Sequence, residues 1–197
     1  MNKDNKNKPV LFFTDKLSAT KYDVYLTGEI EAAADYIPLF DILRNAGSED
    51  VIRIFINSPG GNFWTAMQFI AAINKSNAHI EGHIEGECHS AASMIFLACN
   101  SFNVPEFATM LCHFYTSGYR GKGHEISQWV DHQQPHYKNI INDIYKYFFS
   151  EDELKRMGAG TDFWLTGDEI VVRLDNKVKC EKKEIQAIEK KTKKKKK

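Results

Sequence analysis

Val51-Ile52-Arg53-Ile54-Phe55-Ile56 runs into Asn57-Ser58-Pro59-Gly60-Gly61, and the reading of the chain starts there. A short β-branched run stopped by Ser-Pro-Gly-Gly predicts a buried strand ending in a turn. Two glycines at a strand's end bare backbone N–H groups to whatever lies beyond it. Ser93 follows 32 residues after Gly61, in Ala91-Ala92-Ser93-Met94. It opens a stretch, Ser93 to Cys99, that is apolar all round and predicts a buried helix. Bared N–H groups beside a serine are the parts of an oxyanion hole and its nucleophile.

Outward from this stretch, strands alternate with helices. Tyr22 to Leu26 reads as a strand closed by Thr27-Gly28. Ala32 to Asn45 reads as a helix interrupted or entered at Pro38. Phe63 to Lys75 places Trp64, Met67, Ile70, Ala71 and Ile73 at helical spacing, and His79 to Glu85 alternates as a third strand. This βαβαβα order predicts an α/β fold with a mostly parallel sheet and right-handed crossovers. Ligands in such folds bind beyond the carboxyl ends of the strands, where Gly60-Gly61 and Gly86 to Ser93 both fall. From His124 to Phe149 a 3–4 residue rhythm of Ile126, Trp129, Val130, Tyr137, Ile140, Ile141, Ile144, Tyr147 and Phe148 predicts one long helix. Pro135 is expected to kink it. Its wide aromatic and aliphatic stripe predicts a helix that projects and packs on another subunit.

With 197 residues and an apolar fraction of 43%, the chain suits one domain with a full core. No apolar run reaches the roughly 18–20 residues of a membrane span. The N-terminus lacks a secretory h-region, and the four cysteines show no disulfide spacing, so a reducing, cytoplasmic setting is expected. The organisation predicted is an N-terminal arm over 1–21, a catalytic domain over 22–178 and a Lys-rich tail over 179–197. The zero net charge conceals ten Lys and three Glu in that tail, against a net −7 in the rest. Such a run repels itself and is expected to be disordered. It is also the one segment with a reason to attract nucleic acid or acidic protein.

A serine needs an adjacent base, itself oriented by a third group. His113 ends the apolar stretch Thr109-Met110-Leu111-Cys112 and precedes a glycine-rich loop, a strand-end position at the expected active edge. His89 lies close to Ser93 but in a turn, and His124, His132 and His136 read as the polar face of the long helix. Asp162, between Gly158-Ala159-Gly160-Thr161 and Phe163-Trp164-Leu165, is the candidate orienting acid. Asp168 and Glu169 differ: Thr166 followed by Glu169 reads as a capping box that starts a helix. Cys88-His89 and Cys112-His113 could form a zinc site only if adjacent strand residues shared a face, which they do not, so no metal is expected.

These residues resemble the proteolytic subunit of the ATP-dependent Clp protease, over about Tyr22 to Leu174. Asn57-Ser58-Pro59-Gly60-Gly61 is similar to the family's glycine motif, and Ala91-Ala92-Ser93-Met94 to its nucleophile motif. Met110-Leu111-Cys112-His113 stands where the family has a hydrophobic run ending in its catalytic His. Thr161-Asp162-Phe163-Trp164-Leu165-Thr166 stands where the family has its catalytic Asp. The resemblance implies the ClpP/crotonase-like fold of repeated ββα and βαβ units, with the long helix as a projecting handle. It implies Ser93 as nucleophile, His113 as base, Asp162 as orienter, and the N–H groups of Gly61 and Met94 as the oxyanion hole. No cofactor is implied. The expected partners are further copies of the chain, in heptameric rings stacked as a tetradecamer, an AAA+ unfoldase and peptide substrates.

Departures from the family pattern are specific. Phe114-Tyr115 follow His113 where Gln-Pro is common, Pro135 falls inside the handle, and Arg173 stands near a common glycine before a last strand. The segment between the glycine motif and Ser93 is a few residues longer than usual. Such divergence, with the polylysine tail, would suit a phage-encoded relative that processes capsid or scaffold proteins. Competing readings are a catalytically inactive ring component and a crotonase-like acyl-CoA enzyme, which shares the two-N–H hole without needing the serine.

Overall fold

The computed structural model describes residues 10–16 and 19–195, with side chains over 19–190. The fold is α/β, in two units: one of residues up to His113 with Asp162–Gly167, the other of Phe114–Thr161 with the residues from Asp168 on.

The first unit holds the sheet. Strands β1 (Val10–Lys16), β2 (Thr20–Thr27), β3 (Val51–Ser58), β4 (His79–His89), β5 (Ser101–Asn103), β6 (Thr109–Cys112) and β7 (Phe163–Thr166) form it. The order is β1-β2-β3-β4-β6-β7, with β5 paired to β4. From β2 to β6 the pairing is parallel, and β1 and β7 close the two edges antiparallel. A 3-10 turn at Ala33–Tyr36 leads into α1 (Ile37–Asn45). Pro38 sits in the first turn of α1, where its missing N–H costs nothing.

Helices α2 (Phe63–Ile73) and α3 (Ala91–Leu97) complete the layer. Period-two alternation does the packing: Ile52, Ile54, Ile56, Ile80 and Ile84 are buried, each contributing about 1.5–3 kcal/mol. Tyr36, Phe40 and Phe69 interlock, with ring centroids 4.8–6.4 Å apart. The alternate residues line the other face, where Arg53 pairs with Asp23 and Tyr25, Phe55 and His83 stack across the strands. Helix α3 crosses β4 at Gly82, where a Cβ would lie 2.8 Å from the Phe96 ring. That close approach fixes the height of α3 over the sheet.

The second unit is helical. Helix α4 (Gly123–Tyr145) carries Pro135 in its interior and stays continuous through it. Its buried residues, Tyr137, Ile141 and Tyr145, all lie in the C-terminal half. Helix α5 (Glu151–Gly158) starts on a capping box in which Ser150 and Glu153 satisfy each other's N–H groups. Helix α6 (Gly167–Lys195) begins with Asp168 and Glu169 in its first turn, as the capping signal predicts.

Three expectations change. Residues 10–13, which the sequence gives as a short extended piece within the N-terminal arm, belong to a longer edge strand, Val10–Lys16, while residues 1–9, 17–18 and 196–197 lie outside the described residues. The Lys-rich segment from 179 is the distal part of α6 as far as Lys195; Lys177 reaches Glu181 at 2.6 Å and Lys146 reaches Glu184 at 3.1 Å. Interleaved glutamates offset the repulsion that predicted disorder. No strand follows Arg173 among the described residues. Arg173 sits within α6, ion-paired to Glu153 at 2.7 Å.

Candidate active site

The site is built where β3 and β4 end side by side. The buried Ser58 Oγ accepts a hydrogen bond from the Gly60 N–H at 3.1 Å and shapes the turn. Gly60 has φ +96°, and a Cβ on it would lie 2.6 Å from the His89 carbonyl oxygen and 2.7 Å from Ser90 Cβ. Only glycine allows the two strand ends to come this close. Next along, the Ile30 N–H donates to the Gly60 carbonyl and the Asn62 N–H to the Ile30 carbonyl, both at 2.7 Å. The two bonds of this Ile30–Gly61 bridge use the Gly60 carbonyl and the Asn62 N–H and leave the Gly61 N–H out of them.

Strand β4 reaches the site through an irregularity. Ile56 faces Ile84, but Ser58 faces Cys88, so β4 holds extra residues there. The Asn57 side chain fills the gap by accepting from the Glu87 N–H at 3.1 Å. Past this bulge β4 pairs with β6, and the Ser90 N–H donates to the Leu111 carbonyl at 2.8 Å. Ser90 itself has φ 53° and ψ −121°, a conformation a non-glycine residue rarely adopts. The chain turns sharply at this residue from strand to helix. The Ser90 hydroxyl is left 2.8 Å from His113 Nε2, with His113 at the end of β6.

The hydroxyl that meets His113 is thus that of Ser90. Ser93 lies one turn into α3, 0% exposed, and its hydroxyl donates to the Ser90 carbonyl at 2.7 Å. The Met94 N–H is directed to the same carbonyl, at 3.4 Å, as an ordinary helical bond. The Ala91 N–H is the first of the helix and has no intrahelical acceptor. Asp162 is exposed, and no hydrogen bond or ion pair of the described residues joins it to His113. Cys112 faces Phe163 as the last pair of the β6–β7 ladder, so His113 and Asp162 are the next opposed pair outward. Directly opposed antiparallel residues stand about 4.5–5.5 Å apart at Cβ.

His89 has a different setting. Its Nε2 lies 3.1 Å from Thr109 Oγ1 and its ring 5.3 Å from that of Trp164. Burial lowers its pKa against the opposing pull of Glu87. Burial also pushes the Cys88 thiol up, which keeps it protonated. All four cysteines are free thiols. The groove of about 790 Å³ in the helical unit, lined by Tyr147, Phe149, Val172 and Arg173 among others, shares no residue with this site.

Sequence reasoning passed over Ser90 and Ala91. One signal pointed to them: Ser93 lies 32 residues beyond Gly61, longer than the resembling family has, and Ser90 lies 29 beyond it.

A mostly parallel sheet with its glycine turn and strand-to-helix elbow at the strands' carboxyl ends makes this a protein of the ClpP/crotonase-like fold. The chain belongs to the Clp protease family, whose model matches residues 14–172. Membership places it among serine peptidases. A search of curated proteins finds no match to the chain. Among the described residues no helix is long and apolar enough to cross a membrane.

Proposed function

We propose that this chain is a serine endopeptidase acylated on Ser90, with His113 as general base. The observation that carries the proposal is the 2.8 Å approach of the Ser90 hydroxyl to His113 Nε2, made by a serine held at φ 53°. With Nε2 accepting, the neutral imidazole carries its proton on Nδ1. Ser90 Oγ attacks the peptide carbonyl and its proton passes to Nε2. The oxyanion that forms lies between the N–H groups of Gly61 and Ala91. His113 then protonates the departing amine. Water, deprotonated by the same ring, hydrolyses the acyl ester and frees Ser90. Asp162 is the orienting acid in this reading, supported by its position one residue outward from the Cys112–Phe163 pair, opposite His113.

The assembly proposed is the one the family resemblance implies, rings of this chain that enclose the sites and receive unfolded substrate from an AAA+ partner. The N-terminal half of α4, which carries Ile126 and Val130 exposed, suits a contact between copies.

Labelling with a fluorophosphonate, read by intact mass, tests the chemistry. One adduct is expected on the wild type and on Ser93→Ala, and none on Ser90→Ala. An adduct that survives Ser90→Ala overturns the proposal.

A further inference from the structure

We infer that Ser93 is a positioning residue that aims the Ala91 N–H into the oxyanion site. The inference rests on Ser90 as the nucleophile.

The peptide between Ser90 and Ala91 is one rigid plane, so the direction of the Ser90 carbonyl fixes that of the Ala91 N–H opposite to it. That carbonyl accepts three hydrogen bonds. The Ser93 N–H donates at 3.0 Å and the Met94 N–H at 3.4 Å, and both belong to the opening turn of α3. The Ser93 hydroxyl donates at 2.7 Å, the shortest of the three. Behind it, the Cys112 thiol donates to Ser93 Oγ at 3.7 Å. A chain from Cys112 through Ser93 to the Ser90 carbonyl is thereby formed, and donors in series polarise one another. A carbonyl polarised on its oxygen makes its own peptide N–H a stronger donor.

Two features separate this from ordinary helix packing. Ser90, at φ 53° and ψ −121°, occupies a strained conformation that persists only where its surroundings over-determine it. The Leu111 carbonyl holds its N–H on one side, and the Ser93 hydroxyl adds the grip on the other. Ser93 is also wholly buried, so no water can replace its hydroxyl once it is removed. The residue expected to attack substrate instead holds the plane behind the residue that does.

The test is fluorophosphonate inactivation, resolved into kinact and KI. In that reaction the Ser90 Oγ–P bond forms, fluoride leaves, the proton goes to His113, and the phosphoryl oxygen takes the oxyanion position. Ser93→Ala should lower kinact about 10- to 100-fold, short of the roughly 10²–10³ that follows loss of a whole oxyanion donor, with KI unchanged. Ser93→Thr and Ser93→Val, alike in shape and different only in the hydroxyl, form the control. Thr should recover most of kinact and Val should not. A wild-type kinact in Ser93→Ala, or equal rates for Thr and Val, overturns the inference. If Thr and Val both fail to fold, the kinact–KI split in Ser93→Ala decides alone. Persistent labelling of Ser90→Ala would instead sink the assignment of the nucleophile, so the two failures are distinguishable.

Discussion

Replacing Gly60 with alanine adds one methyl group at the point where β3 meets the elbow. The new Cβ would lie 2.7 Å from Ser90 Cβ and 2.6 Å from the His89 carbonyl oxygen. Carbon atoms rest about 3.5–4.0 Å apart, so Ser90 must retreat by about 0.8–1.3 Å or the β3 turn must open by as much. Either shift acts on the 2.8 Å contact between Ser90 and His113 and on the N–H of Gly61 beside it. A displacement near 1 Å at reacting groups costs about 10²-fold in rate. The φ of +96° adds strain of about 1–3 kcal/mol to the folded state. For a chain of this size each kcal/mol moves Tm by about 2–4 °C. Gly28→Ala separates the two effects: its φ of +84° imposes similar strain, but a Cβ there meets nothing within 4 Å. Both variants should lose a few degrees of Tm by scanning fluorimetry. Only Gly60→Ala should lose fluorophosphonate kinact, by about 10²-fold per folded molecule. Equal kinact in the two folded variants would refute the claim that the glycine turn sets the nucleophile.

Asp162→Asn should slow peptide hydrolysis by at least about 100-fold while leaving the fold intact, because an amide cannot stabilise the imidazolium that forms in the attack. Wild-type turnover in that variant would remove Asp162 from the mechanism. Glu153 tests the helical unit by pH. Its hydrogen bonds with Arg173 lower its pKa to about 2 from the ordinary 4.5. A carboxylate depressed in the folded state adds stability that is complete above the unfolded pKa and is lost as pH falls from about 4.5 to about 2. Glu153→Gln should therefore lower Tm at neutral pH and flatten its decline over that acid range. A parallel decline in both proteins would show that the pair contributes nothing.

Much of the sheet was legible because its residues follow a local rule. Ile52, Ile54 and Ile56 alternate with half-buried neighbours, and β3 and α2 lie within a residue or two of where their patterns put them. The pattern fails at Glu85-Gly86-Glu87, where the bulge held by Asn57 interrupts alternation. Strand β4 therefore runs on to His89 rather than stopping at Glu85. The proposed chemistry rests on that extension. Ser90 and Ser93 stand three apart, both at the opening of an apolar helix, so local pattern gives either one a claim. What separates them is long-range: the pairing of Glu87–His89 with Thr109–Leu111 carries β4 to the elbow and delivers Ser90 to His113. A motif names the kinds of residue a site needs. On the proposed function, which of two serines fills the role follows from where a strand ends, and that depends on an asparagine 30 residues before Glu87 and a strand 20 residues beyond His89.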